Sequence, residues 1–384
     1  MPHPSFANRE QELHAAASKA TGLDDFGDPD YQIGLRALLA AIDSDMVLTE
    51  AGRHVAYGTV FGALTARLQV QEGWRRHPEV RGNTVRRPLV ITGIPRTGTT
   101  ALHKLLSMDE QFQGLEHWLA ATPMVRPPRN SWGSNPAYQA SVAALEAFFS
   151  AMPEMRKAHD IVADEVDECL EILQQSFVSN RFGAGMHVPS YDQWFFAQDE
   201  HDSYRRYADV LRLIGAAEPD KPWLLKNPGH IAELDCLLSV FPDACIVQTH
   251  RNPEQAMPSL CSTLHMARRM FEGDAARADV LAARECAYWS RAVADADVLR
   301  ATRPQQFYDV DHRRFHEAPL ATVQGIYERF GLSLSAAAEQ RMRRWIEDNP
   351  TSRHGAHRYR TDDYGMNEAQ IRDSFAHYID RYDF

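Results

Sequence analysis

The chain has 384 residues, 44% of them hydrophobic, so it can bury one large core and carry appended structure. Its 41 basic and 52 acidic residues give a formal charge of −11, which disfavours nonspecific binding to nucleic acid or anionic membranes. The first residues do not have the pattern of a secretory signal, and the apolar runs are shorter than the ~20 residues of a membrane helix. We therefore expect a soluble cytoplasmic protein without stable membrane insertion. The five cysteines include no C-x-x-C pair, so we expect their thiols to be reduced.

The beginning of the chain is predicted to be helical. Apolar residues recur at helical spacing through residues 6–77, as at Phe61, Leu64 and Leu68. We therefore assign residues 1–85 to an N-terminal helical extension.

Three short apolar runs are predicted to be buried strands, at residues 88–92, 222–226 and 244–249. Each run is followed by a helix-like stretch, and strands that alternate with helices form a parallel sheet. Residues 86–384 are therefore predicted to be an α/β domain, with a P-loop-like parallel sheet flanked by helices and a helical insertion at about 115–215.

The predicted insertion contains a Pro-rich stretch and an amphipathic segment. Residues 122–136 are predicted to be a surface loop, either a lid over a substrate pocket or a plain connection. Five apolar residues of the amphipathic segment would share one helix face: Val166, Cys169, Leu170, Leu173 and Phe177.

A glycine-containing loop, Gly93 to Thr100, follows the first predicted strand and precedes a helix-like stretch. Gly93 and Gly98 let backbone N–H groups converge on an anion, and the helix N-terminus adds partial positive charge. The hydroxyl groups of Thr97, Thr99 and Thr100 can donate further hydrogen bonds. The alternative is a tight strand–helix turn with no ligand.

This loop departs from the phosphate loop of NTPases, because Thr99 replaces the lysine that follows the second glycine of that motif. The two later predicted strands end in basic residues, at Lys226 and at Arg251, where a magnesium-dependent enzyme would want an aspartate. We therefore expect an anion neutralised by protein cations such as Arg96, with no bound metal.

The sequence around this loop resembles the sulfotransferases that use 3′-phosphoadenosine 5′-phosphosulfate, and within them the bacterial, notably mycobacterial, members. The resemblance implies that Arg96, Thr97, Gly98, Thr99 and Thr100 hold the 5′-phosphosulfate group. Arg96 replaces a lysine that is frequent in the family, and a guanidinium does not readily release a proton. Arg96 is therefore predicted to stabilise charge rather than to act as an acid.

Two further segments resemble the part of the family's site that holds the 3′-phosphoadenosine group. Arg251, with Ser259 eight residues later, is similar to the 3′-phosphate site. Tyr308 lies in a segment similar to the strand that contacts adenine, and Arg358 lies in a basic stretch like those that close over the nucleotide. Tyr308 and Arg358 are also consistent with ordinary surface positions.

The segment from Lys226 to His230 resembles the family's strand-end lysine and nearby catalytic histidine. The resemblance implies that Lys226 stabilises the leaving 5′-phosphate together with Arg96, and that His230 acts as general base. His230 lies four residues after the lysine, where the better-known members have two, and it could instead be an N-cap or a packing residue. Carboxylates compete for the base role: Glu116 and an acidic group that is also consistent with a solvated helix face, Asp164, Asp167, Glu168 and Glu171.

The resemblance implies transfer of a sulfuryl group to a hydroxyl or amine of an acceptor, with 3′-phosphoadenosine 5′-phosphate as the other product. A small apolar or lipid acceptor is suggested by a set of large apolar residues, which could equally be core: Met124, Trp132, Tyr191, Trp194, Phe195 and Phe196. The alternatives are a phosphoryl-transfer kinase on a similar loop and a non-catalytic nucleotide-binding protein. A homodimer is the default expectation.

Overall fold

The computed structural model describes residues 5–158, 160–349 and 364–384. Its centre is a five-stranded sheet in the order β2-β3-β1-β4-β5, in which every pairing is parallel. The strands are β1 Leu89–Gly93, β2 Gln113–Gly114, β3 Trp223–Lys226, β4 Cys245–His250 and β5 Phe307–Asp311. The predicted α/β fold with a parallel sheet is confirmed.

Helices precede, interrupt and cover this sheet. Before β1 lie α1 Glu10–Thr21, α2 Tyr31–Asp45 and α3 Glu50–Arg76. Between β1 and β3 lie α4 Thr99–Leu106, α5 His117–Ala121, α6 Pro136–Ala151, α7 Pro153–Ala158, α8 Leu170–Leu173, α9 Asn180–Gly185, α10 Pro189–Phe195 and α11 His201–Ile214. After β3 lie α12 Leu234–Val240, α13 Pro253–Glu272, α14 Ala278–Thr302, α15 His312–Glu317, α16 Pro319–Phe330, α17 Ala336–Asp348, α18 Glu368–Ser374 and α19 Ala376–Tyr382. None of the described helices combines the length and apolarity that crossing a bilayer would require.

The strands are apolar on both faces, as a parallel sheet between two helical layers requires. Successive side chains of a strand point to opposite faces. Val90 and Ile246 accordingly belong to one core cluster, whereas Leu89, Ile91 and Val247 belong to a second. Both faces of the central strands are therefore buried, and their carboxyl ends form one edge at which loops can meet.

The N-terminal helices have a core of their own, which they share with the insertion. Leu64 and Leu68 of α3 are fully buried and Phe61 is partly buried, as their spacing predicts. Phe182 of α9 and Tyr191 of α10 belong to the same cluster. The boundary between residues 85 and 86 stays a prediction, although α1–α3 and the insertion bury their apolar faces together.

The long amphipathic helix predicted over residues 166–177 is wrong. Helix α8 covers only Leu170–Leu173, and Val166 instead forms an antiparallel bridge with Glu116. The backbone N–H of Cys169 donates to the carbonyl of Lys226 at 3.0 Å. Tertiary docking onto the end of β3 therefore overrides the helical periodicity at the start of this segment.

Candidate active site

The loop after β1 has a backbone that depends on its two glycines. Gly93 has a φ of 139°, and an added Cβ would lie 2.4 Å from the carbonyl oxygen of Thr249. Gly98 has a φ of 90°, and Arg96 between them has a φ of 69°, which is rare for a residue with a side chain. Within the described residues no side chain caps α4, which begins at Thr99. Its first N–H groups can therefore take an anion.

The hydroxyl of Thr97 holds the loop together. Its Oγ1 donates to the carbonyl of Ile94 at 2.7 Å and lies 2.5 Å from Oγ1 of Thr249. Thr97 is buried, whereas Thr99 and Thr100 line the cavity beside the loop. A contact between Thr97 and an anion would thus come from its backbone rather than from the predicted hydroxyl.

The structure brings together the loop arginine and the two residues predicted to hold a 3′-phosphate. Nε of Arg96 donates to Oγ of Ser259 at 3.1 Å, and Nη1 of Arg251 donates to the carbonyl of Arg96 at 3.0 Å. Arg251 follows β4 directly, and Ser259 lies on the helix that follows, α13. Two motifs that are about 150 residues apart in sequence therefore form one cationic cluster.

Lys226 and Glu168 form an ion pair next to the loop. Nζ of Lys226 lies 2.7 Å from Oε1 of Glu168 and 3.4 Å from Oγ1 of Thr100. The lysine side chain is 1% exposed and the glutamate 23% exposed. A lysine this buried needs a charged partner, because an unpaired ammonium away from water is strongly unfavourable. The predicted strand-end lysine and one of the competing carboxylates are therefore neighbours.

His230 has the environment of a packing histidine. It is fully buried in a short 3-10 helix, Pro228–Ile231, and is not among the residues that line the cavity. Its Nδ1 lies 2.8 Å from the hydroxyl of Tyr204, and its ring packs against Tyr207. Burial lowers the pKa of His230 to about 3. The N-cap alternative is wrong, because the helix that follows, α12, begins at Leu234 and has Glu233 as its N-cap residue, and the placement does not support a role as general base.

The other competing carboxylate, Glu116, is buried away from the cavity. It forms an ion pair with Nη1 of Arg126 at 2.7 Å, and burial raises its pKa. Asp167, next to Glu168, accepts a hydrogen bond from Nδ1 of His117 at 2.7 Å. Among the carboxylates considered from the sequence, Glu168 is the one that lines the cavity with the loop.

The remaining nucleotide-binding predictions are not supported by contacts at this site. Tyr308 pairs with Val247 in the body of the sheet, and its hydroxyl lies against Gly325 of α16 rather than at the carboxyl edge. Arg358 lies outside the described residues.

Two histidines that the sequence reasoning missed lie just past the carboxyl end of β5, where Tyr308 was expected to contact the nucleotide. His312 follows β5 directly and lies next to Gly98, and its Nε2 is 3.0 Å from Nε2 of His316. Burial and the charge of Arg251 lower the pKa of His312 to about 3. Their position just past the end of a predicted strand was the available signal.

A cavity of about 200 Å³ opens beside the loop. Its wall includes Pro95, Thr99 and Thr100 from the loop region and Glu168 from the insertion. The large residues suggested from the sequence as acceptor contacts do not line it; Tyr191 and Phe195 belong to the core shared with the N-terminal helices. Its apolar wall comes from α8, α13 and α14: Leu170, Leu173, Leu260, Leu264, Tyr288 and Trp289.

The doubly covered parallel sheet and its glycine-containing loop define an α/β protein with a P-loop-like strand–loop–helix. The chain belongs to the Sulfotransferase family, whose profile matches residues 88–336. It is similar to the crystal structure of sulfotransferase STF1 from Mycobacterium tuberculosis H37Rv, with 38% identity, a TM-score of 0.88, and coverage of 97% of this chain and 100% of that one. Sulfotransferase STF9 from Mycobacterium avium matches with 26% identity and a TM-score of 0.89, over 98% of this chain and 97% of that one.

A more distant relative is the omega-hydroxy-beta-dihydromenaquinone-9 sulfotransferase Stf3 of Mycobacterium tuberculosis. It is 23% identical over 311 residues, which cover 77% of this chain and 75% of Stf3. The prediction of a mycobacterial-type sulfotransferase is confirmed by these similarities.

Proposed function

We propose that this sulfotransferase moves a sulfuryl group from 3′-phosphoadenosine 5′-phosphosulfate to a hydroxyl of a small, largely apolar acceptor. The observation that carries the proposal is the meeting of three sequence-distant groups at one sheet edge: the loop after β1, the Arg96–Ser259–Arg251 cluster and the Lys226–Glu168 pair. The first two provide anion sites, and the third provides acid–base groups between the loop and the cavity.

The donor's two anionic groups match the two parts of the cationic site. The first N–H groups of α4, the hydroxyls of Thr99 and Thr100 and the guanidinium of Arg96 would hold the 5′-phosphosulfate. Arg251 and Ser259 would hold the 3′-phosphate. The residues present therefore fit a nucleotide that carries anionic groups at both positions.

Transfer requires the acceptor oxygen to form a bond to sulfur while the bond from sulfur to the 5′-phosphate oxygen breaks. We assign removal of the acceptor's proton to Glu168, since its carboxylate lines the cavity beside the loop. Lys226 and Arg96 then stabilise the negative charge that develops on the leaving phosphate. His230 is replaced as the preferred base because it is buried and not part of the cavity wall.

Phosphoryl transfer, the competing chemistry, has less support from the ends of the strands. Kinases and NTPases hold magnesium with acidic side chains near the phosphates. Here β3 ends in Lys226 and β4 is followed by Arg251. Asp311, at the end of the edge strand β5, accepts hydrogen bonds from the first N–H groups of α15. The positions where a kinase would have acidic ligands for magnesium are therefore occupied by Lys226 and Arg251.

The hydroxyl acceptor is supported by the cavity and by one relative. Leucines and aromatic residues form much of the cavity wall, and the name of Stf3 states that it acts on a hydroxylated menaquinone. A lipid or other apolar alcohol is therefore the class to test. The homodimer and the cytoplasmic location stay predictions.

Nucleotide binding and its dependence on metal test the donor. We expect 3′-phosphoadenosine 5′-phosphate to bind equally well with and without chelator in calorimetry. Arg251→Ala should weaken it by ~2–4 kcal/mol, because a charge-assisted contact is lost. Adenosine 5′-phosphosulfate, which lacks the 3′-phosphate, should be almost unaffected.

Arg269→Ala is the matched control, because Arg269 lies on the same helix as Ser259 but pairs with Asp274 on the surface. It should bind both nucleotides like the wild type. Loss of binding in chelator, or equal weakening of both nucleotides in the Arg251 variant, would contradict the proposed donor site.

A further inference from the structure

A pair of buried carboxyl groups, Glu200 and Glu233, lies in the wall of the acceptor cavity. Glu200 precedes α11 and Glu233 precedes α12, so two separate elements bring them together. Their side chains are within hydrogen-bonding reach of each other. The mechanism above uses neither group.

Within residues 5–158, 160–349 and 364–384, no cationic side chain forms an ion pair with Glu200 or Glu233. Glu200 is 6% exposed, and among the described residues the hydrogen-bond partner of its carboxyl group is Glu233, whose carboxylate accepts the bond from Glu200. The charged groups outside the pair that raise its pKa values are further acids, first Asp235 and then the exposed Asp199. Buried carboxylates are normally paired with a cation or fully hydrogen-bonded, so this pair departs from the usual arrangement.

The protonation of the pair reflects this shortage of positive charge. Burial and the charge of Glu233 raise the pKa of Glu200 well above its usual value, and burial and Asp235 raise that of Glu233 to about 7. The pair therefore favours a protonated form over the doubly ionised one, because two adjacent buried carboxylates repel each other. A ligand cation would supply the charge that the proton now provides.

Aromatic rings line the same cavity. Tyr204, Tyr288 and Trp289 contribute to its wall, and the charges of Glu200 and Glu233 both act on the Tyr288 hydroxyl. Carboxylates combined with aromatic faces suit a protonated amine, which gains from both the charge and the ring quadrupole. A neutral alcohol would gain from neither to the same extent.

We propose that Glu200 and Glu233 select acceptors that carry a protonated amine in addition to the hydroxyl that receives the sulfuryl group. The inference rests on the proposed function and narrows it to amino alcohols with an apolar scaffold. The cavity of about 200 Å³ sets the size of the enclosed part, since a cavity of about 150 Å³ holds one benzene molecule. One ring with two short arms, a hydroxyl on one and an amine on the other, is the matching shape.

The test compares two probes of nearly equal shape, 4-(aminomethyl)benzyl alcohol and 4-ethylbenzyl alcohol, at pH 7.5. We expect the wild type to favour the amine by about tenfold or more in kcat/KM, as a desolvated cation site would. Glu200→Gln and Glu233→Gln should bring this ratio close to one. Because glutamine resembles a protonated glutamate, both variants should fold.

Asp199→Asn is the control, since it removes a nearby exposed charge without altering the cavity wall. It should keep the wild-type ratio within about twofold, the scale of a screened surface charge. A ratio near one in the wild type, or an unchanged ratio in both glutamine variants, would overturn the inference.

The same comparison by calorimetry, on the complex with 3′-phosphoadenosine 5′-phosphate, does not depend on turnover. Preferential amine binding without sulfation of either probe would support the carboxyl pair and count against the proposed reaction. Sulfation of both probes with no amine preference would leave the reaction standing and remove the amine selectivity.

Discussion

Glu168→Gln tests the proposed base with the smallest change that the site allows. The substitution removes the carboxylate that would take the acceptor's proton and leaves a side chain of nearly equal shape. The amide oxygen can still accept a hydrogen bond from Nζ of Lys226, which lies 2.7 Å from the present carboxylate. Lys226 therefore keeps its place beside Thr100.

The loss of rate should exceed any loss of stability. A general base contributes roughly 10²–10⁴ to the rate, which at about 1.4 kcal/mol per tenfold corresponds to ~3–5 kcal/mol of barrier. Breaking a fully buried ion pair costs about 3–5 kcal/mol. Glu168 is 23% exposed and the amide keeps one hydrogen bond, so we expect only about 1–2 kcal/mol here.

Glu171→Gln is the matched control. Glu171 is 20% exposed, against 23% for Glu168, and its ion pair with Arg181 has the same length of 2.7 Å; Arg181 is 33% exposed, whereas Lys226 is 1% exposed. It is not part of the cavity wall. The Glu171 variant should lose no more stability in thermal unfolding than the Glu168 variant, and only the Glu168 variant should lose kcat.

The assay measures transfer of labelled sulfate to the best available alcohol, together with calorimetry of 3′-phosphoadenosine 5′-phosphate. Nucleotide affinity should change by less than about threefold, because no cation of the donor site is removed. Retention of more than a tenth of the wild-type kcat by the Glu168 variant would refute its role as base. His230 and Glu116 would then have to be reconsidered.

Three further predictions follow from burial and backbone geometry. His230→Gln should keep kcat within about tenfold, whereas loss of roughly 10²–10⁴ would restore the histidine as base. Gly93→Ala should lower the free energy of unfolding by at least ~1–3 kcal/mol, because its φ is 139° and the new Cβ would lie 2.4 Å from the Thr249 carbonyl. The control Gly58→Ala, in open space on α3, should raise the free energy of unfolding by about 0.5–1 kcal/mol. Equal shifts of the melting temperature in the two variants would contradict this reasoning. The pKa of Glu233 is raised to about 7, so the folded state binds an extra proton between about pH 4.5 and 7, and the free energy of unfolding should fall as pH rises through that window. Glu233→Gln should remove that part of the pH dependence in denaturant titrations, and an unchanged pH profile would show that this carboxyl titrates normally.

The strands and the loop were predictable from the sequence because their signals are local. The three predicted runs of five or six residues are strands within one residue of the predicted bounds, and the segment around Tyr308 is the strand β5. The glycines at 93 and 98 stand where positive φ angles occur. The two-residue strand β2 was missed, since so short a strand depends on its pairing with β3.

The catalytic assignment was less predictable because it depends on burial. The family resemblance of the segment after Lys226 favoured His230, and only the folded chain shows that this ring is enclosed by Tyr204 and Tyr207. Tyr308 failed for a related reason, since its side chain packs on α16 and not at the carboxyl edge. Sequence spacing gives the strand end but not the direction in which a side chain several residues away will point.

The sequence by itself determined the α/β class, the position of the glycine-containing loop and the basic residues at the ends of the strands, because each follows from local periodicity, glycine positions or a short motif. Tertiary structure alone decided that Glu168 meets Lys226 and that Glu200 meets Glu233 in the cavity wall. These pairs join residues from different elements whose relative positions are fixed by the packing of the insertion against the sheet. The environment of each carboxyl, and therefore its chemistry, is a property of that packing rather than of its neighbours in the chain.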